Sequence, residues 1–435
     1  MGIESTLDFV ASLTTQQWIA YFWPFFMMDF IRYVLIDFVV LLLYIPRRHR
    51  AKQQYAKARQ QLYLERPLVS VIVPGKNEGK HIPQLAESLT HQTYKNIEIV
   101  IIDDGSDDDS ASICRRLRRE GKIKLFIRNE VRGGKASAAN TALAYARGKY
   151  IVHLDADSHL SYNAIETILL PFYMDEKIGA VGGDVRVRNV ETSFATRLQT
   201  IEYIKSISTG RTVSSELKIL RIIAGAHGAF RRDILERLHG WDVGPGLDGD
   251  ITLKIRKLGF KVVHEPMAIC YTNVPNQFRK LARQRFRWDR SMIRFRFRKH
   301  RDILLPSANF SVPNFIASAE NLFFNLILDI KWWIYGIQIA LVNPELLHHL
   351  VVINYVLYSM SNLLELGVAA YLLRGTLRKV DWKMFLYIPL MPAYTGFYLR
   401  TVRTYAYLME LFHGASYKDR WNPWKVSKQA EKDGL

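Results

Sequence analysis

The chain has 435 residues, a formal net charge of +19 and only two cysteines. This length exceeds that of a typical single domain and predicts a catalytic-size core joined to a further region. Cys114 and Cys270 lie far apart in the sequence, which argues against a disulfide framework or a cysteine-based zinc site and fits a reducing compartment. The positive charge suits nucleic acid, a membrane surface or an anionic small molecule, or else lysine- and arginine-rich loops beside membrane spans.

An apolar run from Trp18 to Ile45 predicts a membrane segment over residues 1–46. The run holds one or two spans, or one span of about 20 residues whose first third lies instead in the membrane interface. It is too long for the apolar region of a signal peptide, so no cleavable one is expected. Its charged residues are costly in lipid and should face other helices or the membrane surface: Asp29, Arg32 and Asp37. The basic linker that follows, residues 47–66, places the next domain in the cytoplasm.

Strands and helices alternate from residue 67 to about residue 260. Four apolar, β-branched runs predict strands: "LVSVIVPG", "IEIVIIDDGS", "IKLFIRN" and "YIVHLDADS". The stretches between them have helical patterns, so the sequence predicts an α/β fold with a doubly wound parallel sheet. Ligands bind such sheets at the carboxyl ends of the strands, and the acidic residues at 101–106 and 153–158 stand there.

The acidic residues in "HLDADS" are candidates for a metal site. Asp155 and Asp157 leave the strand two residues apart, so both carboxylates could reach one Mg²⁺ or Mn²⁺ ion that keeps open positions for phosphate oxygens. Lys135, in "RGGKASAAN", stands at a helix start, where backbone N–H groups and a cation can meet an anion. Each motif alone would equally suit a turn or a solvated lysine, but their shared position favours one crevice.

A strongly basic region over residues 271–316 contains "LARQRFRWDRS" and "IRFRFRKHR". We expect interfacial helices here, with the part from Arg294 onward resting on anionic lipid headgroups. Alternating arginine and aromatic residues could instead bind a single-stranded nucleic acid. The two carboxylate clusters disfavour that alternative because they would repel its phosphates, so no nucleic-acid partner is expected.

The C-terminal region, residues 317–415, contains further apolar runs before a polar tail over 416–435. Asn321–Val342 and Leu350–Leu373 predict two spans, joined by an outer loop that has no lysine or arginine. Phe385–Phe412 holds two arginines partway along and predicts either one span with a polar stripe or a span followed by an interfacial helix. The total is four or five spans, and the alternative is that some runs are buried core helices.

Eight motifs follow one another along the chain: "VSVIVPGKNEG", "IEIVIIDDGS", "GGKASAAN", "HLDADS", "GGDVRVRN", "AGAHGAFRRDIL", "LDGDITLKIRKLGF" and "QRFRW". In kind and order they resemble the motifs of the membrane-bound family 2 glycosyltransferases, which include the hyaluronan, chitin-oligosaccharide, poly-N-acetylglucosamine and cellulose synthases. The resemblance covers about residues 67–300 and implies a cytoplasmic GT-A-type domain over 67–270, flanked by N- and C-terminal transmembrane helices.

The resemblance also implies roles for single residues. Asp104 resembles the carboxylate that contacts the uracil and ribose of a UDP-sugar, and Asp157, helped by Asp155, resembles the ligand of the metal that bridges the diphosphate. Lys135 resembles the basic residue near the nucleotide. Asp248 resembles the general base, and Asp250 is the acidic residue two positions further on that is grouped with it as catalytic. The remaining substrate-binding residues that the resemblance implies are Pro74, Lys76, Glu78 and Asp103.

The motif "QRFRW" resembles the signature of processive enzymes, in which Gln284 and Arg287 serve the diphosphate and Trp288 stacks on the acceptor sugar. Two positions depart from the family pattern: Leu247 replaces a common glutamate, and Ala224 replaces a common serine or cysteine. The implied enzyme is a multi-pass protein of the cell membrane that polymerises a β-linked polysaccharide from a UDP-sugar with Mg²⁺ or Mn²⁺ and moves the chain across the bilayer. UDP-N-acetylglucosamine or a hyaluronan-like pair is the expected donor, and single transfer to a polyprenyl phosphate is the alternative.

Overall fold

A mixed eight-stranded sheet forms the centre of the computed structural model, which describes residues 3–242, 246–306, 310–418 and 423–432. The strands are β1 Val69–Gly75, β2 Ile97–Asp103, β3 Leu125–Arg128, β4 Tyr150–His153, β5 His159–Leu160, β6 Ile178–Val187, β7 Gly228–Arg231 and β8 Lys261–Thr272. Their order across the sheet is β3-β2-β1-β4-β7-β6-β8-β5. The strands β3, β2, β1 and β4 are parallel, as predicted.

The other half of the sheet corrects the prediction of a wholly parallel arrangement. β7 runs antiparallel to both of its neighbours, β4 and β6, while β8 is parallel to β6 and antiparallel to β5. The reversal has a local consequence, because it pairs the end of β4 with the beginning of β7, residue His153 with Gly228. The loop that precedes β7 therefore lies beside the acidic residues that follow β4.

Helices cover both faces of the sheet, which explains why its strands are apolar almost without interruption. In β1, Val71 and Val73 pack into the core on one face, and Ile72 packs into the core on the other. The α-helices as far as β8 are α1 Ile3–Ser12, α2 Thr15–Phe22, α3 Ile36–Arg50, α4 Lys52–Glu65, α5 Ile82–Thr90, α6 Ser110–Arg119, α7 Lys135–Tyr145, α8 Ala164–Met174, α9 Phe194–Tyr203, α10 Gly210–Glu216, α11 Arg232–Arg237 and α12 Leu247–Lys257.

The chain after β8 is helical. It contains α13 Phe278–Met292, α14 Val312–Leu322, α15 Leu328–Val342, α16 Pro344–Leu373, α17 Lys379–Lys383, α18 Arg400–His413 and α19 Trp424–Lys432. π-Helical turns occur at Trp23–Met27, Phe30–Leu35, Ile204–Thr209, Ile293–Lys299, Phe323–Ile327 and Pro392–Leu399. Short 3₁₀ turns occur at Val190–Thr192, Arg301–Leu304, Met384–Leu390 and Ala415–Lys418.

Two helical stretches within the described part of the chain are long and apolar enough to cross a membrane, against the four or five spans predicted. They are Val312–Val342 and Pro344–Leu373, which contain both runs predicted as spans in this region. The third apolar run is divided into a 3₁₀ turn, a π-helical turn and α18. Its two arginines, Arg400 and Arg403, bind Asp329 of α15 at 2.9 and 2.6 Å.

The three charged residues of the N-terminal run face other helices, as expected. Asp29 accepts a hydrogen bond from the hydroxyl of Tyr358 at 2.7 Å. Arg32 pairs with Glu320 of α14 and with Asp37 at 3.0 Å. The N-terminal helices are thereby held against α14 and α16 by polar contacts that an apolar lipid surface could not supply.

Arg294 and Arg296, which were expected to rest on lipid headgroups, are buried within the protein. Arg290, Arg294 and Arg298 recur every fourth residue and bind the chain near the end of α18. Arg290 donates to the Ala415 carbonyl at 2.6 Å, and Arg298 pairs with Glu410 at 2.7 Å. The guanidinium of Arg294 stacks on the Tyr417 ring at 4.6 Å. Arg290 and Arg294 are buried, Arg298 is half-buried, and each guanidinium has a protein partner that offsets the cost of burial.

Candidate active site

The loops that leave β1 and β2 lie together at the carboxyl edge of the sheet. Asp104 follows β2, and its two oxygens accept the backbone N–H groups of Gly133 at 2.9 Å and Gly134 at 2.7 Å. Asp103 accepts the backbone N–H of Ser106 at 2.9 Å. Both carboxylates therefore shape loops around the crevice, and Asp104 fixes the glycine turn from which α7 begins.

The loop after β1 is tied to the loop after β2. Lys76 donates to the Gly105 carbonyl and to Asp107, with Nζ–O distances of 2.5 and 3.0 Å. Glu78 donates its backbone N–H to the Ser110 hydroxyl at 3.0 Å, which leaves the Glu78 carboxylate to the crevice. Pro74 is buried inside β1, where its register partner is Ile102.

Lys135 begins α7 and joins two of the acidic motifs. The residue before it, Gly134, has a φ of +87°, a conformation that favours glycine. Lys135 Nζ donates to Asp155 at 2.6 Å. Burial alone would lower the pKa of Lys135, but Asp155 and Asp248 outweigh it and raise that pKa, so the residue is a fixed positive charge.

Three carboxylates concentrate negative charge in the crevice. Burial and the neighbouring Asp155 raise the pKa of Asp157 to about 6. Burial, Asp157 and Asp155 raise the pKa of Glu78 to about 7. Burial is the larger cause of both shifts, and repulsion between the neighbouring carboxylates adds to it, so a cation bound among them would be stabilised.

The crevice contains oxygen donors that suit a divalent cation. No group of three or more histidine, cysteine, aspartate or glutamate side chains in the described residues is arranged to hold a metal by itself. Asp155 and Asp157 offer hard oxygen donors, and a hydrogen bond from the Thr272 hydroxyl at 3.2 Å positions Asp157. Mg²⁺ and Mn²⁺ suit this arrangement because they bind through one or two carboxylates plus phosphate oxygens.

Asp248 is joined to the other residues of the crevice by a hydrogen bond from the backbone of Gly225. Asp248 lies at the second position of α12, and its Oδ2 accepts the Gly225 N–H at 2.9 Å. A Cβ atom at Gly225 would lie 2.8 Å from Asp248 Oδ1 and 2.8 Å from Lys135 Nζ. The ammonium of Lys135 and the carboxylate of Asp248 therefore both pack into the space that a side chain at Gly225 would occupy.

Sequence reasoning missed His153 and Gly225. His153 Nδ1 lies 2.6 Å from the Gly225 carbonyl oxygen, and the Gly225 N–H contacts Asp248, so one glycine links the histidine to the carboxylate. The antiparallel β4–β7 pairing creates this contact. No local sequence pattern announces such a pairing between segments about 70 residues apart.

Asp250, which the sequence predicts to be catalytic, is held by two basic residues rather than by the groups around Gly225. Asp250 accepts hydrogen bonds from Lys299 at 2.8 Å and from His300 Nε2 at 2.7 Å. Burial alone would raise its pKa, but His300 and Lys299 outweigh burial and hold the pKa at about 2. Residues two apart on an α-helix point about 200° apart, so Asp250 faces away from the crevice that Asp248 faces.

The helix that carries Gln284, Arg287 and Trp288 packs against the beginning of α12. A Cβ atom at Gly246 would lie 2.7 Å from the Ser291 Cβ, and one at Gly249 would lie 2.5 Å from the Phe295 ring. The three motif residues precede this contact by one to two helical turns on α13.

The exposed aromatic residue of this motif is held in place by its neighbours. Trp288 is 45% exposed, and the Arg285 guanidinium lies 4.6 Å from its ring centroid. Arg285 is itself paired with Glu202 of α9 at 2.9 Å. In the described part of the chain, the buried Oε1 of Gln284 has no protein hydrogen-bond donor. A fixed aromatic surface and a buried acceptor without a donor are features of a binding site.

Comparison with known proteins agrees with these features. Residues 70–239 match the family model described as glycosyl transferase family 2. The chain is 31% identical over 222 residues to a poly-β-1,6-N-acetyl-D-glucosamine synthase of Staphylococcus epidermidis, covering 51% of this chain and 53% of that protein. It is 29% identical over 214 residues to the protein of the same name from Staphylococcus aureus strain COL, covering 49% of this chain and 51% of that one. The chain thus spans about half the length of the curated relatives it matches.

A solved structure shows the same fold. A mannosyltransferase from Pyrobaculum calidifontis, determined in complex with GDP-Man and Mn²⁺, superposes with a TM-score of 0.54 at 20% identity. The likeness covers 87% of this chain and 99% of that one. The expectation of a GT-A-like mixed α/β domain is thereby confirmed.

Proposed function

We propose that this chain, which carries a glycosyltransferase family 2 domain over residues 70–239, polymerises a β-linked polysaccharide from a UDP-sugar. The observation that carries the proposal is the junction at Gly225, where a fixed cation and a carboxylate meet beside a cluster of further carboxylates. A crevice with these groups can bind a diphosphate at one end and accept a proton at the other.

Asp248 is the proposed general base. A sugar hydroxyl is a weak nucleophile, so a positioned carboxylate must accept its proton as attack proceeds. The Gly225 N–H orients Oδ2 of Asp248, and His153 fixes the glycine from its carbonyl side. A single displacement by that hydroxyl inverts the anomeric centre, so an α-linked donor gives a β-linked product.

Lys135 and Arg287 stabilise the negative charge that develops on the departing UDP. Asp155 and Asp157 would hold Mg²⁺ or Mn²⁺, which supplies further neutralisation of the diphosphate. Asp104 is the proposed contact for the nucleoside, through the glycine turn that it anchors. The same side of the crevice is shaped by four further residues: Pro74, Lys76, Glu78 and Asp103.

Trp288 is the proposed platform for the acceptor sugar, and Gln284 is a proposed ligand of the diphosphate. The apolar face of a pyranose stacks on an indole that is held still, and the ion-paired Arg285 holds this one. An acceptor that stays bound between additions makes the enzyme processive. Single transfer to a polyprenyl phosphate is the second candidate, and the exposed Trp288 favours the first because a lipid acceptor needs no sugar platform.

UDP-N-acetylglucosamine is the proposed donor, and the names of the synthases that the chain resembles support it. A hyaluronan-like pair of UDP-sugars is the alternative donor set. The two long apolar helices support a multi-pass protein of the cell membrane with its catalytic domain in the cytoplasm. The growing polysaccharide would leave the crevice through this helical region, which binds membrane lipids on its outside.

The test uses the purified chain in detergent with a panel of UDP- and GDP-sugars and Mg²⁺ or Mn²⁺. The expected result is release of nucleoside diphosphate from one UDP-sugar and formation of a long product. Asp248→Asn should keep UDP binding and abolish polymer, whereas the control Asp233→Asn, outside the crevice, should keep both UDP binding and polymer formation. Near-normal turnover of Asp248→Asn would remove that residue from the role of base, and a product of one sugar on lipid would contradict processivity.

A further inference from the structure

Three arginines meet in a cleft away from the crevice. Arg221 precedes the loop that contains Gly225, Arg256 lies near the end of α12, and Arg296 lies in the π-helical turn Ile293–Lys299. Asn314 and Ser318 of α14 complete its polar lining. The space among these residues is about 250 Å³ when the open solvent at its mouth is counted, so the cleft is shallow rather than an enclosed cavity.

The cleft contains more positive than negative charge. Arg296 is only 6% exposed, and its Nη1 donates to the Ala317 carbonyl at 3.2 Å. Arg256 donates to two backbone carbonyls at 2.7 and 2.9 Å. Neither guanidinium pairs with a carboxylate in the part of the chain that the structure describes. Glu320 pairs with Arg221 at 3.2 Å, but it also pairs with Arg32.

The proximity of these cations is electrostatically costly. Burial and the neighbouring Arg221 lower the pKa of Arg296 to about 9 and that of Arg256 to about 10. A buried charge without a counter-charge costs free energy, and natural proteins seldom keep one unless a ligand compensates it. Several guanidinium groups that line one cleft suit a phosphate, because its oxygens accept guanidinium N–H groups and its charge offsets theirs.

We propose that the cleft formed by Arg221, Arg256 and Arg296 binds the phosphate group of an anionic ligand. Two sources share this chemistry, an anionic phospholipid headgroup and a soluble phosphate compound. α14 is the first part of the candidate span Val312–Val342, so the cleft lies where that span would leave the bilayer. The site is separate from the donor crevice and does not depend on the proposed sugar transfer.

Occupation of the cleft would act on the proposed base through α12. Phe295, which also lines the cleft, contacts the position of Gly249, the residue after Asp248. Arg256 belongs to the same helix as Asp248. A phosphate that draws Arg256 and Arg296 together would therefore fix the angle of α12 against the turn that contains Phe295.

The test measures melting temperature in lipid nanodiscs, which needs no activity. Wild type is compared in phosphatidylcholine alone, in phosphatidylcholine with phosphatidylglycerol, and in phosphatidylcholine with inorganic phosphate against chloride of equal ionic strength. We expect at least one phosphate source to raise the melting temperature of the wild type. A rise with phosphatidylglycerol alone identifies the headgroup, and a rise with inorganic phosphate identifies a soluble ligand.

Arg296→Gln is the diagnostic variant, and the exposed Arg118→Gln on α6 is its control. In phosphatidylcholine nanodiscs with chloride only, Arg296→Gln should melt at or above the wild-type temperature because an uncompensated charge is gone. With phosphate, its rise should be less than half that of the wild type, whereas Arg118→Gln should respond fully. Arg256→Gln serves in the same way if Arg296→Gln does not fold. A wild type that ignores every phosphate source, or a variant that responds as the wild type does, overturns the proposal.

Discussion

Replacing Gly225 with alanine tests the geometry of the crevice at its tightest point. The new Cβ would lie 2.8 Å from both Asp248 Oδ1 and Lys135 Nζ. Ordinary carbon–oxygen contacts are about 3.4 Å, so each group must retreat by about 0.6 Å. Gly225 is not among the glycines with positive φ, so the backbone tolerates alanine and the strain falls on the two side chains. Misplacement on this scale lowers turnover by about a hundredfold.

The assay for Gly225→Ala is the release of UDP with kcat and KM measured separately, beside the melting temperature. We expect kcat/KM to fall by about a hundredfold, while overpacking lowers stability by about 1 kcal/mol. Gly367→Ala is the matched control, because a Cβ there meets nothing within 4 Å. A Gly225→Ala enzyme with kcat/KM within about threefold of wild type, in a protein that melts normally, would refute the convergence of Asp248 and Lys135.

Three further predictions concern residues around the site. Because the folded pKa of Asp250 is about 2, against 3.8 for a free aspartate, the folded state holds its carboxylate ionised. Its contribution of roughly 2 kcal/mol is present above pH 4 and disappears as the pH falls toward 2. Between pH 4 and pH 2, the melting temperature of Asp250→Asn should therefore fall less than that of the wild type. An equal fall in both proteins would contradict the stabilising ion pairs of Asp250. Trp288→Ala should shorten the product while UDP binding persists, and Trp288→Phe should restore part of the length; gel filtration of labelled product measures both. Glu410→Gln leaves Arg298 without its carboxylate and should cost about 2 kcal/mol of stability, which thermal melts would detect and an Arg298→Gln second change should partly recover.

The parallel half of the sheet was predictable because each of its strands carries its own signal. Buried parallel strands need apolar side chains on both faces, and β1, β2 and β4 show this as continuous β-branched runs. β7 is four residues long, and its partners are distant in sequence, so no local pattern fixed its direction. For the same reason, the sequence did not predict the position of the loop at Gly225 or its contact with His153.

The sequence also did not predict what surrounds particular side chains on the helices. The motif around Asp248 was found in the sequence, but only the helix that carries it shows that Asp250 points elsewhere. The arginines at 290, 294 and 298 have a regular spacing that predicts one helical face. Composition could not tell whether lipid or protein covers that face, because both surfaces satisfy a guanidinium that has a carboxylate or a phosphate nearby. The structure shows protein, with Glu410 fully buried beneath Arg298.

One helix connects these observations. From Asp248, the side chains of Asp250 and Arg256 on α12 are rotated by about 160° and 80°, so the three residues face three different surroundings. Asp248 faces the crevice, Asp250 binds Lys299 and His300, and Arg256 faces the arginine cleft. The segment from Ile293 to His300 contacts two of these three faces. We therefore expect a shift of this segment to change the position of α12 and, with it, that of the proposed base relative to Gly225.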